Sequence, residues 1–220
     1  MLFDIDGTLI RRPGPHHRNA LIEAVRRTTG LETTTDGIPL HGMLDPDILS
    51  IMLRNAGATS RLIREVMPEI TRRAQSIYVR NCPDLGRKVC PGVRRLLAGL
   101  DRRRVPMGLV TGNLTRIGWK KVERAGLKPH FTIAAFAEMH RTRAGLARIA
   151  IRFARENGLV RKDAHISLIG DTPADVRAAR ANGLFAVAVA TGISTHDELA
   201  AESPDLLVDD MRSLRPGDLL

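Results

Sequence analysis

Short apolar runs that each end in a cluster of small polar residues set the grammar of this chain. Met1 to Ile5 leads into Asp6-Gly7-Thr8, Met107 to Val110 into Thr111-Gly112-Asn113, Ile166 to Ile169 into Gly170-Asp171, and Val187 to Val189 into Thr191-Gly192. Such runs suit strands buried on both faces, as parallel sheets require. Helical periodicity lies between them from Val93 to Arg103 and again after Pro173. Strands alternating with helices predict an α/β fold: a Rossmann-like parallel sheet with helices on both faces. One long stretch breaks the alternation. From His17 to Arg80 the pattern is helical, with periodic segments over Ala20 to Thr28, Asp47 to Asn55 and Ser60 to Val79, and a loop from Gly30 to Gly42. The breaker cluster Arg12-Pro13-Gly14-Pro15 marks the exit from the sheet, and Pro83 and Pro91-Gly92 mark the return. The expected organisation is a core of residues 1–13 and 84–220 with an all-helical insertion at 14–83. No internal repeat or low-complexity segment interrupts it. Met1 to Ile5 is short for a central strand, so either the start lies upstream or this core tolerates a shortened one.

The polar clusters carry the chemistry. Alternate residues of a strand share a face, so Asp4 and Asp6 begin on one side, and Gly7 lets the backbone leave the strand. Open α/β sheets keep their ligands at this end of the strands. Two acids so close repel, and a divalent cation between them is the simple remedy; an acidic turn is the plain alternative. Gly170-Asp171-Thr172-Pro173-Ala174-Asp175 repeats the pattern, with Pro173 suited to a first helical turn and Asp175 four residues beyond Asp171. The Thr111 hydroxyl, the Asn113 amide and the N–H groups of the helix that follows could cradle a phosphate.

In these motifs, their order and their spacing, the chain resembles the haloacid dehalogenase superfamily hydrolases, of the branch that cleaves phosphate esters, over nearly its whole length. The resemblance implies that Asp4-Ile5-Asp6-Gly7-Thr8 is motif one, that motif two centres on Thr111, and that Gly170 to Asp175 is motif four. Motif three is a basic residue, with Arg143 the best candidate and Arg141 the fallback. It implies a Mg2+-dependent phosphatase acting on a small phosphorylated metabolite, with Asp4 the nucleophile and Asp6 the acid and base. Asp4, the Asp6 backbone carbonyl, Asp171 and Asp175 would serve the metal, and Thr111, Gly112, Asn113 and Arg143 the phosphoryl group. The insertion would be a helical cap that opens for substrate and closes for chemistry. An acid at Asp6 favours phosphate esters over carbon–halogen bonds. A sugar phosphomutase shares the same acids and stays open, as does a non-catalytic binding or regulatory protein using its basic surface. Gly42-Met43-Leu44-Asp45-Pro46-Asp47 resembles a cap signature with Leu44 in place of Thr, and Asp45 reads as a helix N-cap.

Composition narrows the partners. Lys and Arg number 34 against 24 Asp and Glu, a net charge of +10, yet aromatic residues are only 3%. Stacking platforms for nucleic acid are therefore scarce, and the arginines are dispersed, so nucleic acid is not an expected partner. Attraction of anionic substrates is the functional reading of the charge. No run is long enough to span a membrane and nothing at the amino terminus reads as a signal peptide. Cys82 and Cys90 lack metal-ligand spacing, which fits reduced thiols in a cytoplasmic setting. His16-His17 is expected to cap or face solvent, His140 to lie on the surface, Trp119 to pack, and Thr191-Gly192 to form a turn. Substrate identity and oligomeric state are not legible.

Overall fold

The four expected strands pair in one parallel sheet, with two further strands, unexpected from the sequence, at its edges. The computed structural model describes residues 1–11 and 14–219. Its strands are β1 (Leu2–Phe3), β2 (Gly108–Val110), β3 (Ile133–Ala135), β4 (Ser167–Gly170), β5 (Phe185–Val189) and β6 (Leu206–Val208), in the order β3-β2-β1-β4-β5-β6. Strand β1 is central and short. Leu2 and Phe3 pair with Gly108 and Leu109 on one side and with Leu168 and Ile169 on the other. The ladder continues past both ends of β1, from the Gly108 N–H to the Met1 carbonyl at 2.9 Å and from the Asp4 N–H to the Ile169 carbonyl at 3.0 Å.

Side-chain alternation divides the apolar residues between the two faces. Phe3, Leu109, Ile169, Val187 and Val189 pack with α4 (Val93–Arg102) and α5 (Thr115–Arg124). Leu2, Val110, Leu168, Ala186 and Ala188 pack with α6 (Arg143–Glu156) and α7 (Pro173–Arg180). The last helix, α8 (His196–Ala201), contributes Leu199 to the second face. The chain turns to opposite sides of β1 through β2 and β4, so the topological switch lies at the carboxyl ends of these three strands.

The helical stretch forms α1 (His16–Thr29), α2 (Asp45–Asn55) and α3 (Ser60–Asn81). Each starts up to four residues earlier or ends later than periodicity alone indicates, because polar first and last turns carry no apolar signal. Helices α1 to α3 bury a core of their own, including Ala24, Val25, Leu49, Leu53, Ile70 and Tyr78, and this core docks onto Leu114 and Ile117 at the start of α5. The expected exit through Arg12-Pro13 lies outside the described residues. No described helix is long and apolar enough to cross a membrane. Much of the surface Arg pairs locally, as Arg26 and Arg27 do with Glu23, and Arg72 and Arg73 with Glu69. Such pairs order a solvated face and add little stability. Trp119 lies 5.5 Å from the Phe136 ring, Cys82 and Cys90 are free, and burial pushes the Cys90 thiol up to about 11.

Gly118 fixes how closely α5 approaches the sheet. A Cβ there would lie 2.6 Å from the Phe136 ring and 3.3 Å from Ile5. Gly to Ala inside a helix ordinarily stabilises by about 1 kcal/mol. Here overpacking reverses the sign, and Gly118→Ala is expected to lower stability by about 1–3 kcal/mol, read as a lower urea midpoint. A midpoint at or above that of the unsubstituted protein contradicts this packing.

Candidate active site

Strands β1, β2 and β4 deliver their terminal polar residues to one crevice. Asp4 follows β1, Thr111 follows β2 and Asp171 follows β4, and all three are buried. Gly7, at φ +88°, turns the chain beneath Asp171, whose carboxylate would lie 2.1 Å from any Cβ at that position. Thr8 Oγ1 donates to Asp171 Oδ1 at 2.7 Å, and Thr191 Oγ1 donates to the Gly7 carbonyl at 2.5 Å. Asp175, in the first turn of α7, accepts from the Thr172 N–H and hydroxyl through Oδ2, at 3.1 and 2.7 Å.

Arg143 joins these acids. It opens α6, and its Nη1 lies 2.9 Å from both Asp4 Oδ1 and Asp175 Oδ1. Only the Asp4 contact has hydrogen-bond alignment; Asp175 Oδ1 and Arg143 Nε are buried without a hydrogen-bond partner among the described residues. Of the two arginines weighed for motif three, Arg143 is buried at this point and Arg141 is exposed.

Asp6 faces elsewhere. Its Oδ2 accepts from Lys121 Nζ at 2.6 Å and from Asn113 Nδ2 at 2.8 Å, while Oδ1 is sealed without a partner among the described residues. The two motif-one carboxylates thus share a crevice but each meets a different cation. Lys121 is paired with the Asp6 carboxylate and Arg143 with that of Asp4. The acids that do gather are Asp4, Asp171 and Asp175, each with an oxygen within 4.8 Å of the others.

Burial and crowding set the protonation of these groups. Burial, with Asp175 and Asp6 close by, pushes Asp4 up to about 6 despite Arg143. Burial and the Asp4 and Asp175 carboxylates raise Asp171 well above the usual carboxylate range. Burial also works to raise Asp6, but Lys121, His17 and the hydrogen bonds from Lys121 and Asn113 outweigh it and hold Asp6 low. Once ionised, three gathered carboxylates against one guanidinium leave two negative charges, and Asp175 Oδ1 has no donor among the described residues. An all-oxygen donor set with that residual charge fits a hard divalent cation.

The phosphate cradle expected at Thr111 to Asn113 is already engaged. Asn113 Nδ2 donates to Thr111 Oγ1 at 2.7 Å as well as to Asp6, and Asn113 Oδ1 accepts from Lys121 at 2.6 Å. The Leu114 N–H goes to Asp45 Oδ2 at 2.8 Å and the Thr115 N–H to Glu138. Gly112 is a docking point: a Cβ there would lie 2.2 Å from the Met43 carbonyl oxygen, and its own carbonyl accepts from the Asp45 N–H at 2.8 Å. Asp45 therefore ties the start of α2 to the start of α5, and its carboxylate does not cap its own helix. His17 is partly buried against Asp45, contrary to a solvent-facing or capping role, whereas His140 is exposed as expected. Gly192 belongs to the site as well as to a turn, since a Cβ there would lie 1.7 Å from Asp171 Oδ2. Lys121 gave one sequence signal that went unread: a cation at a buried position of α5, four residues after Ile117.

Above these groups lies a cavity of about 460 Å3, lined by core residues and by His17, Arg18, Leu21, Met43 and Ile48 of the helical stretch.

A family profile described as haloacid dehalogenase-like hydrolase matches residues 1–183. The chain belongs to the haloacid dehalogenase-like hydrolases. Among curated relatives of this family, the phosphoglycolate phosphatase of Pseudomonas syringae pv. tomato is 28% identical over 230 residues, covering 100% of this chain and 79% of the relative. The phosphoglycolate phosphatase of Synechococcus elongatus is 34% identical over 131 residues, 59% of this chain and 57% of the relative. Solved structures share the fold. CbbY from Rhodobacter sphaeroides, in complex with phosphate, gives a TM-score of 0.73 at 21% identity, covering 97% of this chain and 94% of its own. β-Phosphoglucomutase from Clostridium difficile gives 0.71 at 17%, covering 97% and 92%.

A divalent cation held at this triad would compete with protons for Asp4 and Asp171, whose proton affinity is raised. Added divalent cation is therefore expected to raise the melting temperature more at pH 7.5 than at pH 5. Equal shifts at the two pH values, or none, speak against metal binding at this triad.

Proposed function

We propose that the protein is a Mg2+-dependent phosphatase that hydrolyses small phosphomonoesters through an aspartyl-phosphate on Asp4. The observation that carries this reading is the convergence of Asp4, Asp171, Asp175 and Arg143 at the strand ends below one cavity. The Asp4 carboxylate attacks phosphorus in line, the phosphorus–oxygen ester bond breaks, and Asp6 gives its proton to the leaving oxygen. Water then attacks the aspartyl-phosphate, its proton passes to Asp6, and the bond from Asp4 to phosphorus breaks to release phosphate.

Asp6 Oδ1, buried and without a partner among the described residues, becomes the atom for this exchange once substrate reaches it, since Oδ2 is held by Lys121 and Asn113. Its low proton affinity suits the second half-reaction, and an arriving phosphoryl dianion raises that affinity for the first. Arg143 stays charged throughout, and its free Nε is a donor for phosphoryl oxygens. Thr111 and the backbone of Gly112 complete the phosphoryl contacts. Asp4, Asp171, Asp175 and the Asp6 carbonyl would hold Mg2+, which when bound offsets phosphoryl charge and orients the group.

Residues 14–83 act as a cap over the core of 1–13 and 84–220. Their separate apolar core and their share of the cavity lining support this division. Closure of such a cap excludes water and strengthens the electrostatics inside. The substrate is a small phosphorylated metabolite, and phosphoglycolate, named for the curated relatives, is the first to assay.

Asp4→Asn is expected to abolish turnover of 4-nitrophenyl phosphate and phosphoglycolate, and to form no acid-stable covalent phosphoryl adduct. Asp6→Asn is expected to lower kcat by about 10²–10⁴-fold. Chelation of divalent cations should stop turnover reversibly. Turnover that persists in Asp4→Asn overturns the reading.

A further inference from the structure

Lys121 is the most deeply buried cation among the described residues, at 0% exposure, and it touches neither the acidic triad nor the phosphoryl contacts proposed above. A buried ammonium is tolerated only when its three protons all find acceptors. Here they do: Asp6 Oδ2 at 2.6 Å, Asn113 Oδ1 at 2.6 Å and His17 Nδ1 at 3.1 Å. Because Lys121 has only donors, His17 must accept at Nδ1 and carry its proton on Nε2. That proton points at Asp45 Oδ2, 3.0 Å away, which also takes the Leu114 N–H. The Tyr78 ring flanks both partners, 5.5 Å from the His17 ring and 5.9 Å from Lys121 Nζ.

His17, Asp45 and Tyr78 come one each from α1, α2 and α3. Asp6, Asn113 and Lys121 all belong to the core. One ammonium group is therefore enclosed by both halves of the molecule at once. We propose that Lys121 is a positioning residue for Asp6, and that the helical insertion completes its coordination through His17, held in turn by Asp45. Lys121 pins Asp6 Oδ2, which fixes where Oδ1 points; without His17 one ammonium proton loses its acceptor and the pin loosens. The aim of the reacting acid thus depends on how the three helices seat against α5. This rests on the phosphatase reading, in which Asp6 serves the leaving group.

Leaving-group chemistry tests it. An alkyl phosphate needs a proton on its departing oxygen, whereas 4-nitrophenyl phosphate departs readily without one. Lys121→Met is expected to lower kcat/KM, which reports formation of the aspartyl-phosphate and not its hydrolysis, at least about tenfold more for phosphoglycolate than for 4-nitrophenyl phosphate. His17→Ala should give the same selective loss in weaker form and covers the case in which Lys121→Met does not fold. In the Asp6→Asn background either substitution should add less than about twofold, since both act through Asp6. Equal losses of kcat/KM on the two substrates, or full additivity with Asp6→Asn, overturn the positioning role. Asp4→Asn keeps the two readings apart: activity surviving in it sinks the phosphatase, while its inactivity alongside leaving-group-blind Lys121→Met and His17→Ala sinks only the present proposal.

Discussion

The structure is organised around a concentration of negative charge that the polypeptide itself does not neutralise. Asp4, Asp6, Asp171 and Asp175 crowd the carboxyl ends of β1 and β4, and two side-chain cations, Arg143 and Lys121, reach them. Each cation pays a local penalty for being there. Arg143 opens α6, at the end of a helix where the dipole disfavours positive charge, and Lys121 occupies an apolar face of α5. Only a strong opposing field makes both placements favourable. The sheet topology supplies it by ending β1 and β4 side by side at the switch point.

Asp4 and Asp6 are two residues apart yet have opposite proton affinities. Asp4 is raised by burial, with other acids close by; Asp6, also buried, meets Lys121 and is lowered. Strand alternation starts them on one side, but the turn at Gly7 and the placement of the two cations separate their environments. Under the proposed mechanism, a nucleophile and a proton carrier can thereby be adjacent in sequence without competing for one role.

Much of this was readable in the chain because local pattern and local chemistry agreed. Apolar runs ending in small polar clusters marked β1, β2, β4 and β5, their parallel pairing and the edge that carries Asp4, Thr111 and Asp171, whereas the outer strands β3 and β6 were not legible. The periodic stretch before Arg80 gave three helices. What stayed hidden were pairings across long sequence separations. Lys121 with Asp6, and Asp45 with Leu114, depend on how α1 to α3 sit on α5, which no periodicity encodes. The Asn113 amide and the α5 N–H groups looked available for a ligand for the same reason: their acceptors, Asp6, Asp45 and Glu138, lie far along the chain. Asp45 read as a cap for its own helix because that is the commonest use of Asp at such a place, and tertiary contact overrode it.

The contact of Met43 with Gly112 and of Asp45 with Leu114 makes the seam between insertion and sheet a matter of backbone geometry. Helical inserts of this kind are therefore not interchangeable modules. A chimera carrying a foreign insert must reproduce a carbonyl that fits against a bare Cα and an imidazole at the right depth. Lineages that exchange one side of this seam should show compensating changes on the other.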